Sequence, residues 1–521
     1  MVDDAEGRTL DVMIYGATAS GVTAAIAAAR AGLRVAVVEA GPHVGGMVSG
    51  GLGWTDLGDH DVIGGLALEF YEQVGRHYGV ETWGVLGPEP HVAERIFRDW
   101  LRDAGVGVVF NARLDYVQRE GRSIQWITTE DGQNFMARVF IDASYEGDLL
   151  ARAGVPYAVG RESVEQHGES WAGRQPIRPG QHNFSVPVSP FDEHGELLPF
   201  IHRRPMAPEG SEDQGVQAYG FRLCLTDRPE NQTPFPRPEA YDPGEFELLR
   251  RYLAAAGPGL RADRLMSLSG RLPNGKCDAN SIGPFSTNLL DGSSWEYPDA
   301  DYRRRQEIRD HHLRYTQGLL YFLSNDPGVP EHIRTEMSRW GLCSDEFTDT
   351  GHWPHQLYVR EARRMRGEYT LTQADLDEGR EQYDSVGMGS YNIDIREVQR
   401  VWMWVPRSMN LAAETFNEGY LSVPVQSYQI PYRSLVPRYH ECDNLIVSVC
   451  VSASHVAFAS VRMEPQYMIL GHAAGLAAVL AVRDDVAVQG VSIPRLQHEL
   501  TAQRQILSQT QPAADRPGEA E

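Results

Sequence analysis

The chain has 521 residues, of which 42% are hydrophobic, and this is enough for two or three domains with sizeable cores and excludes a disordered or fibrous protein. Its 71 acidic residues outnumber the 48 basic ones, and the resulting net charge of −23 opposes binding to nucleic acid or to anionic membranes. Five cysteines without a Cys-x-x-Cys pair give no indication of a disulfide framework, and Lys276, the only lysine, excludes a Walker-type phosphate site.

The acidic N-terminus lacks the apolar segment of a signal peptide, and no later segment is long enough to span a membrane. We therefore expect a cytoplasmic protein.

Residues 11–40 predict a buried strand, a tight turn at Gly16, an alanine-rich helix and a second strand that ends at Glu39. A glycine turn followed by a helix start can bind a pyrophosphate, and the acidic residue can bind a ribose. This order is typical of a dinucleotide-binding unit, although an ordinary βαβ unit without a ligand remains the alternative. Thr18 stands where a second glycine is usual, so its Cβ lies where the phosphates approach.

The next elements complete a parallel sheet with a meander connection. Residues 44–56 form a glycine-rich loop that suits backbone contact with a large flat ligand. A helix at about 91–103, a strand near 106–110 and a hairpin around residues 131–132 follow. A further buried strand is expected to end at Asp142.

Residues 156–300 are rich in Pro, Gly, Asn and Asp and predict a separate domain laid over the first. A long helix at about 301–325 follows, with a solvated first half. The arginines of "VREARRMR", which are Arg360, Arg363 and Arg364, indicate a solvated helix face, with an anion clamp as the alternative. The paired histidines of "GHWPH", His352 and His355, lack the partners of a metal site but could line a cleft.

Sheet character returns at residues 444–482. Residues 445–451 predict a buried strand, and a polar turn and a helix with Pro465 at its first position follow. The helix carries small residues that permit close approach to the first unit. His455 and Arg462 lie between these elements, and the tail from residue 508 is expected to be disordered.

Several long motifs together carry a resemblance to a known family. They are "GATASG", "GPHVGGMVSGGLGWTD", "FIDASYEGDLLARAGVPYAVGRES", "QLYVREARRMRGEY", "DSVGMGSYNID" and "SASHVAFASVRMEPQYMILGHAAG". Over roughly residues 10–485 the chain resembles the FAD-dependent oxidoreductase family whose members are often labelled xanthan lyase-like.

The resemblance implies an α/β fold, with a Rossmann-like FAD-binding domain of the glutathione-reductase type and an inserted α+β substrate domain. The expected division is 10–155 and 431–485 for the FAD-binding domain, 156–430 for the substrate domain, and 486–521 for a C-terminal helix and tail.

By position, the resemblance also implies roles for individual residues toward FAD. The first turn would hold the pyrophosphate, the end of the second strand the adenosine ribose, and the glycine-rich loop the flavin side. Leu114 would offer its backbone to the adenine, Asp142 and Asp148 would order a turn beside the cofactor, and the helix start at Glu464 would direct its dipole at the flavin. The residues of the first three groups are Gly16, Thr18, Ala19, Ser20 and Gly21; Glu39 and Ala40; Gly45, Gly46 and Met47.

Two departures from the family stand out. One is Thr18, and the other is the run 394–400, which lacks the Ser-His-Asn sequence usual before Val-Gln-Arg.

The favoured chemistry is that of a dehydrogenase or oxidase that takes hydride from a polar small organic substrate, sugar-like or an intermediate of a natural product. The absence of paired cysteines disfavours a disulfide reductase. A flavin monooxygenase, a lyase or isomerase with FAD but no net redox work, and a scaffold with a degenerate nucleotide fold remain alternatives.

Three residues are candidates for catalysis. His455 would be the base, or else only a hydrogen-bond partner of FAD. Arg462 would bind a substrate carboxylate or the flavin, or else form a structural ion pair, and Tyr391 is a weaker candidate that could serve packing alone. No metal, nucleic-acid or membrane partner is expected, and a homodimer is an open possibility.

Overall fold

The computed structural model describes residues 10–180, 182–407 and 410–509. The strands are β1 (Leu10–Tyr15), β2 (Val35–Val38), β3 (Gly107–Val109), β4 (Leu114–Glu120), β5 (Ser123–Thr129), β6 (Asn134–Asp142), β7 (Tyr157–Ala158), β8 (Leu223–Thr226), β9 (Gln232–Thr233), β10 (Met266–Leu272), β11 (Lys276–Ser281), β12 (Gly341–Cys343), β13 (Arg364–Met365), β14 (Ser385–Gly389), β15 (Ile393–Ile395), β16 (Gln399–Arg407), β17 (Asn410–Glu418), β18 (Leu421–Val423), β19 (Tyr428–Pro431) and β20 (Leu445–Val447). The helices are α1 (Ala19–Arg30), α2 (Gly65–Tyr78), α3 (Pro90–Asp103), α4 (Asp148–Arg152), α5 (Val164–His167), α6 (Glu247–Ala256), α7 (Tyr302–Asn325), α8 (Glu331–Met337), α9 (Gln373–Glu378), α10 (His455–Val461), α11 (Glu464–Asp484) and α12 (Ile493–Ala502).

A parallel sheet forms the centre of the fold, in the order β3-β2-β1-β6-β20. Ile14 pairs with Val37 on one side and Ile141 on the other, and Ile446 pairs with Ile141 from the far end of the chain. These apolar runs are buried because the sheet has packed layers on both faces. The strands β4 and β5 extend β6 as an antiparallel meander. The predicted α/β class and Rossmann-like sheet are confirmed.

Helices α1 and α11 pack together on this sheet at very short range. A Cβ added at Gly471 would lie 2.1 Å from the carbonyl oxygen of Ser20, and one at Gly475 would lie 2.4 Å from that of Ala24. Only glycine permits such backbone contact, so the predicted close approach of the C-terminal helix to the first unit is confirmed. In the described part of the chain α11 alone is long and apolar enough to span a membrane, but it is fully buried in the protein as a core helix.

The region between β6 and β20 contains a second, antiparallel sheet in the order β10-β11-β8-β12-β9. Four two-stranded ribbons accompany it: β7 with β13, β14 with β19, β15 with β18, and β16 with β17. The long helix α7 starts one residue later than the spacing predicts, at an Asp301 cap. The domain boundaries stay a prediction, and the predicted disordered tail lies, from residue 510 onward, outside the described residues.

Candidate functional site

A cavity of about 230 Å³ opens at the carboxyl ends of β1, β2 and β6. In doubly wound sheets this edge is where ligands bind, because the first turns of the following loops leave a crevice there. Six of the predicted cofactor residues line the cavity: Gly16, Thr18, Glu39, Ala40, Gly46 and Asp148.

The turn after β1 brings the chain close to the end of β6. Gly16 has a φ of +100°, and a Cβ there would lie 2.8 Å from the backbone carbon of Ala143. A side chain at this position would therefore overlap the backbone directly after β6. Helix α1 starts directly after the turn, and the amides of Ala19 and Ser20 at its first positions have no carbonyl of their own helix to bond. This is the geometry of an anion site at a helix start.

Thr18 does not obstruct this site, because its side chain turns inward. Its Oγ1 donates to the carbonyl oxygen of Ala143 at 2.8 Å and accepts from the amide of Gly21 at 3.2 Å, which makes Thr18 the N-cap of α1. The residue is 5% exposed. A hydroxyl thus links the turn to the residue that follows β6, at a position where a glycine would make no side-chain bond.

Glu39 closes the other side of the turn. Its two carboxylate oxygens accept from the amides of Ala17 at 2.6 Å and Gly41 at 2.7 Å. Burial raises the pKa of Glu39, and the two amides partly offset that rise. Each oxygen keeps a lone pair that can accept a hydroxyl proton, which suits the predicted contact with a ribose.

The glycine-rich loop lies directly against the first turn. The amide of Gly45 donates to the carbonyl oxygen of Ala17 at 2.7 Å, and residues 18 and 45 form a parallel bridge. The amide of Met47 donates to the hydroxyl of Tyr145 at 2.8 Å, and that hydroxyl donates to Glu464 at 2.6 Å. Tyr145, which the sequence analysis missed, therefore connects the loop to the start of α11.

Buried polar atoms without partners lie at the start of α11. They are Oε2 of Glu464 and both side-chain atoms of Gln466. Burial raises the pKa of Glu464 to about 8, against a smaller opposing effect of the Tyr145 hydroxyl. Such atoms are rare in folded proteins unless a ligand or water satisfies them. The helix start therefore carries side-chain groups that can bond a polar ligand, and the predicted action of its dipole on the flavin stays a prediction.

Asp142 and Asp148 hold the turn that follows β6. Asp142 accepts from the amide and hydroxyl of Ser144 and from the amide of Leu150, and burial raises its pKa to about 6. Asp148 pairs with Arg305 at 2.7 Å and Arg363 at 2.9 Å. Both acids thus order the turn.

Leu114 has both backbone groups bonded to tyrosines. Its amide donates to the Tyr15 hydroxyl at 3.1 Å, and its carbonyl oxygen accepts from the Tyr302 hydroxyl at 3.2 Å. An adenine contact through this backbone has to share or displace these bonds, and it stays a prediction.

A second constellation surrounds His455, the first residue of α10. Its Nδ1 lies 2.9 Å from Oε1 of Glu361, while Nε2 is buried without a partner. Burial acts to raise the pKa of Glu361, but the adjoining His455, the charge of Arg364 and the hydrogen bond from Gln217 outweigh it and hold that pKa at about 2. Gln217 donates to both oxygens of Glu361 and fixes the carboxylate. A carboxylate that orients an imidazole with one free nitrogen is an arrangement suited to proton transfer.

Arg462 is one of four buried arginines that we call the arginine cluster, because the charges of the other three act on Arg360; its members are Arg222, Arg360, Arg396 and Arg462. Arg462 donates to the Tyr358 hydroxyl at 3.0 Å and pairs with Asp394 at 3.3 Å. Its neighbour in sequence, Met463, caps α11, so the cluster adjoins the helix start that carries Glu464.

Tyr391 lines a surface pocket of about 410 Å³ together with Asp56 and Trp83. Burial raises the pKa of Tyr391, and the nearby charge of Asp56 adds to the rise. Asp56 in turn has a raised pKa from burial, which Arg222 and Arg462 oppose.

The prediction that "VREARRMR" is a solvated helix face is wrong. The segment runs through the interior as irregular chain and the short strand β13, and Arg360, Arg363 and Arg364 are all buried. Their spacing of three and four residues fits a helix, but it fits equally an extended segment that places each guanidinium beside a different partner. Sequence reasoning thus named Arg360 but placed it at the surface, and it missed Glu361.

His355 lines the cavity at the carboxyl ends of β1, β2 and β6 and stacks on His43, with the ring centroids 3.7 Å apart. Burial beside that ring lowers the pKa of His355 to about 3.

Two clusters in the described residues have the geometry of metal ligands. One, at residues 59–61, lies at the surface. The other contains Glu89 and Glu346, but Lys276 Nζ lies 2.7 and 2.6 Å from their oxygens and supplies the positive charge. The absence of a metal site stays a prediction.

The sequence matches the model of the FAD dependent oxidoreductase family over residues 11–500. The chain therefore belongs to the FAD-dependent oxidoreductase family and is a flavoenzyme that acts on a small molecule. No curated protein matches the sequence significantly.

The chain is also similar to parts of several solved structures. They include T. acidophilum thioredoxin reductase (20% identity, 26% of this chain and 35% of that chain, TM-score 0.18) and a flavin-containing monooxygenase from Stenotrophomonas maltophilia (18%, 30% and 43%, TM-score 0.20). A third is p-nitrophenol 4-monooxygenase PnpA from Pseudomonas putida DLL-E4 (12%, 30% and 46%, TM-score 0.24). The chain matches less than half the length of each.

The residues around the cavity fit FAD. The first turn and α1 provide unbonded amides, Glu39 provides ribose acceptors, and a Cβ at Gly46 would lie 2.4 Å from the Tyr145 hydroxyl, so this stretch of the loop has no space for a side chain. The unpartnered atoms of Glu464 and Gln466 match the polar edge of a flavin ring in chemistry. The individual contacts remain predictions.

Proposed function

We propose that this flavoenzyme is a dehydrogenase or oxidase that takes hydride from a carbon of a polar small organic substrate. The observation that carries the proposal is the buried pair of His455 and Glu361, with Nε2 of the imidazole free to accept a proton. Bound FAD supplies the two-electron acceptor for the hydride.

The pair of His455 and Glu361 handles the proton. When a C–H bond next to a hydroxyl or amino group gives up hydride, the O–H or N–H proton must leave so that a C=O or C=N bond can form. Nε2 of His455 accepts that proton, and the carboxylate 2.9 Å from Nδ1 stabilises the resulting imidazolium. Gln217 keeps the carboxylate in place because its amide and side chain both donate to it.

Burial makes this pair effective. His455 is 1% exposed and Glu361 also 1%, so little water competes for their charges. The backbone amide of His455 donates to Glu162 at 2.9 Å, and Ser454 caps α10 in front of it. The imidazole therefore sits at a helix start whose backbone is held from two sides.

The holding of FAD falls to the residues of the first cavity. The helix start of α1 would bind the pyrophosphate and Glu39 the adenosine ribose, while Gly45, Gly46 and Met47 would face the flavin side. The start of α11 would direct its positive dipole end at the flavin. That dipole would stabilise a negative charge on a group bound in front of it.

The test is anaerobic mixing of the FAD-loaded protein with a panel of sugars, sugar acids, alcohols and amines. A true substrate abolishes the visible absorption of the flavin, and the His455→Gln variant should do so about 10² to 10⁴ times more slowly while retaining its flavin. Equal rates in the two proteins would remove His455 from the chemistry. Product formation without any flavin reduction would exclude the dehydrogenase or oxidase reaction.

A further inference from the structure

Arg360 is buried without a carboxylate partner. It is 3% exposed, and no acidic oxygen of the described residues lies within the 4.0 Å of an ion pair. One of its N–H groups donates to the carbonyl oxygen of Ala218 at 2.5 Å, and its guanidinium lies 4.2 Å from the ring centroid of Tyr358. A guanidinium has five donors, so most of this one is left for another acceptor.

The other members of the arginine cluster already have acidic partners. Arg222 donates twice to Asp278, Arg462 pairs with Asp394 at 3.3 Å, and Arg396 lies 3.6 Å from Glu397. Their charges still act on Arg360. Burial lowers the pKa of Arg360 to about 9, and repulsion by the three other arginines contributes to the decrease.

Arg400 is a buried arginine whose guanidinium is bonded by neighbouring groups of the protein, and it serves as a comparison for Arg360. It too has no carboxylate partner among the described residues, but it donates to Asn417, to the carbonyl oxygen of Pro284 and to that of Phe200. Its guanidinium also lies 4.0 Å from the Phe285 ring centroid. Arg360, with one such bond, is not satisfied in this way, and a buried charge in this condition favours a bound anion.

Arg360 also lies beside the proposed proton acceptor. It precedes Glu361 in sequence, and Gln217, which fixes Glu361, accepts from the amide of Arg396 at 3.0 Å. Tyr358 joins Arg360 to Arg462, because the guanidinium of Arg360 lies 4.2 Å from its ring centroid and Arg462 donates to its hydroxyl at 3.0 Å.

We propose that the substrate carries a carboxylate, which the arginine cluster binds with Arg360 as its charge partner, an inference that rests on the proposed function. The planar fork of a guanidinium matches the two oxygens of a carboxylate. One unpaired cation balances one negative charge, and the acids Asp56 and Asp394 next to the cluster oppose a dianion such as phosphate. The substrate class is therefore a hydroxy or amino acid, including sugar acids.

The experiment compares acids with their neutral amides on the FAD-loaded wild-type protein. Glycolate and propionate are titrated against glycolamide, propionamide and inorganic phosphate, with the flavin spectrum and the midpoint of thermal unfolding as readouts. We expect saturable changes with the two carboxylates and none with the amides or phosphate. This comparison needs no variant, so it does not depend on the folding of one.

The variants assign the effect to a residue. Arg360→Met should weaken carboxylate binding by about 10- to 100-fold and Arg360→Lys by less, since a charge-assisted hydrogen bond contributes this much to affinity. Arg400→Met, which removes the matched structural arginine, should leave carboxylate affinity unchanged. All three should retain FAD.

Three results would overturn the proposal. They are equal binding of acids and amides, preferential binding of phosphate, and loss of FAD in Arg360→Met with carboxylate affinity intact. The fate of the proposed function is separate. Carboxylate binding without flavin reduction by any acid would support the anion site and refute the proposed oxidation. Flavin reduction by neutral alcohols alone would support the oxidation and refute the anion site.

Discussion

The Thr18→Val substitution tests how this chain builds its cofactor turn without the family's usual glycine. Valine keeps the shape of threonine but removes the hydroxyl, and with it the bond to the Ala143 carbonyl oxygen at 2.8 Å and the cap on the Gly21 amide at 3.2 Å. The lost cap costs about 1 kcal/mol, and the unpaired buried carbonyl costs about 1 kcal/mol more. We expect a loss of about 2 kcal/mol in the free energy of unfolding.

The assay measures denaturant unfolding of the FAD-free protein and, separately, the dissociation constant of FAD. Thr18→Ser keeps the hydroxyl and should stay within about 0.5 kcal/mol of wild type. Thr316→Val is the matched control, because its buried hydroxyl bonds only the His312 carbonyl oxygen of its own helix. FAD binding should weaken in Thr18→Val and remain unchanged in Thr316→Val. A Thr18→Val protein as stable as wild type, with equal FAD affinity, would refute the capping argument.

Three further variants test the rest of the account. Glu361→Gln should lower the rate of flavin reduction by about 10²-fold with FAD content unchanged. Glu169→Gln, whose carboxylate bonds Ser454 and not the imidazole, should change that rate little, and similar losses in both variants would indicate a structural effect only. Gly471→Leu should abolish folding or FAD binding, because its Cβ alone would lie 2.1 Å from the Ser20 carbonyl oxygen, and a folded, FAD-loaded variant would show that α1 and α11 do not pack this closely. Burial raises the pKa of Glu464 from 4.5 to about 8, so the folded FAD-free protein holds a proton that the unfolded chain releases, and its free energy of unfolding falls as the pH rises from about 5 to about 8. Glu464→Gln should flatten this decline in unfolding measured against pH, and an unchanged slope would contradict the raised pKa.

The first cofactor unit could be predicted from sequence because its determinants are local. The apolar run before Gly16, the alanine-rich helix and Glu39 lie within thirty residues, and the local sequence pattern of each element predicts its secondary structure. The close packing of α11 against α1 at Gly471 could also be predicted from sequence, because a stripe of small residues on an apolar helix is typical of close helix packing. The sheet, the helix start of α1 and the α1–α11 contact followed from these patterns.

The substrate side could not be predicted in the same way. Arg360 and Glu361 stand in a segment whose charges suggest exposure, and only the folded chain shows that Glu361 meets His455 from 94 residues away. Tyr145 was missed because its role depends on contacts with Met47 and Glu464, which lie far along the chain in both directions. Burial of charge is a property of tertiary packing, and no local pattern encodes it.

The most direct test of the central claim is rapid anaerobic mixing of the FAD-loaded protein with a substrate acid and with the same acid deuterated at the oxidised carbon. The account predicts that the flavin loses its visible absorption in a single turnover, more slowly with the deuterated acid, and far more slowly in the Glu361→Gln variant. A substrate that is converted to product while the flavin spectrum stays unchanged would contradict hydride transfer to FAD.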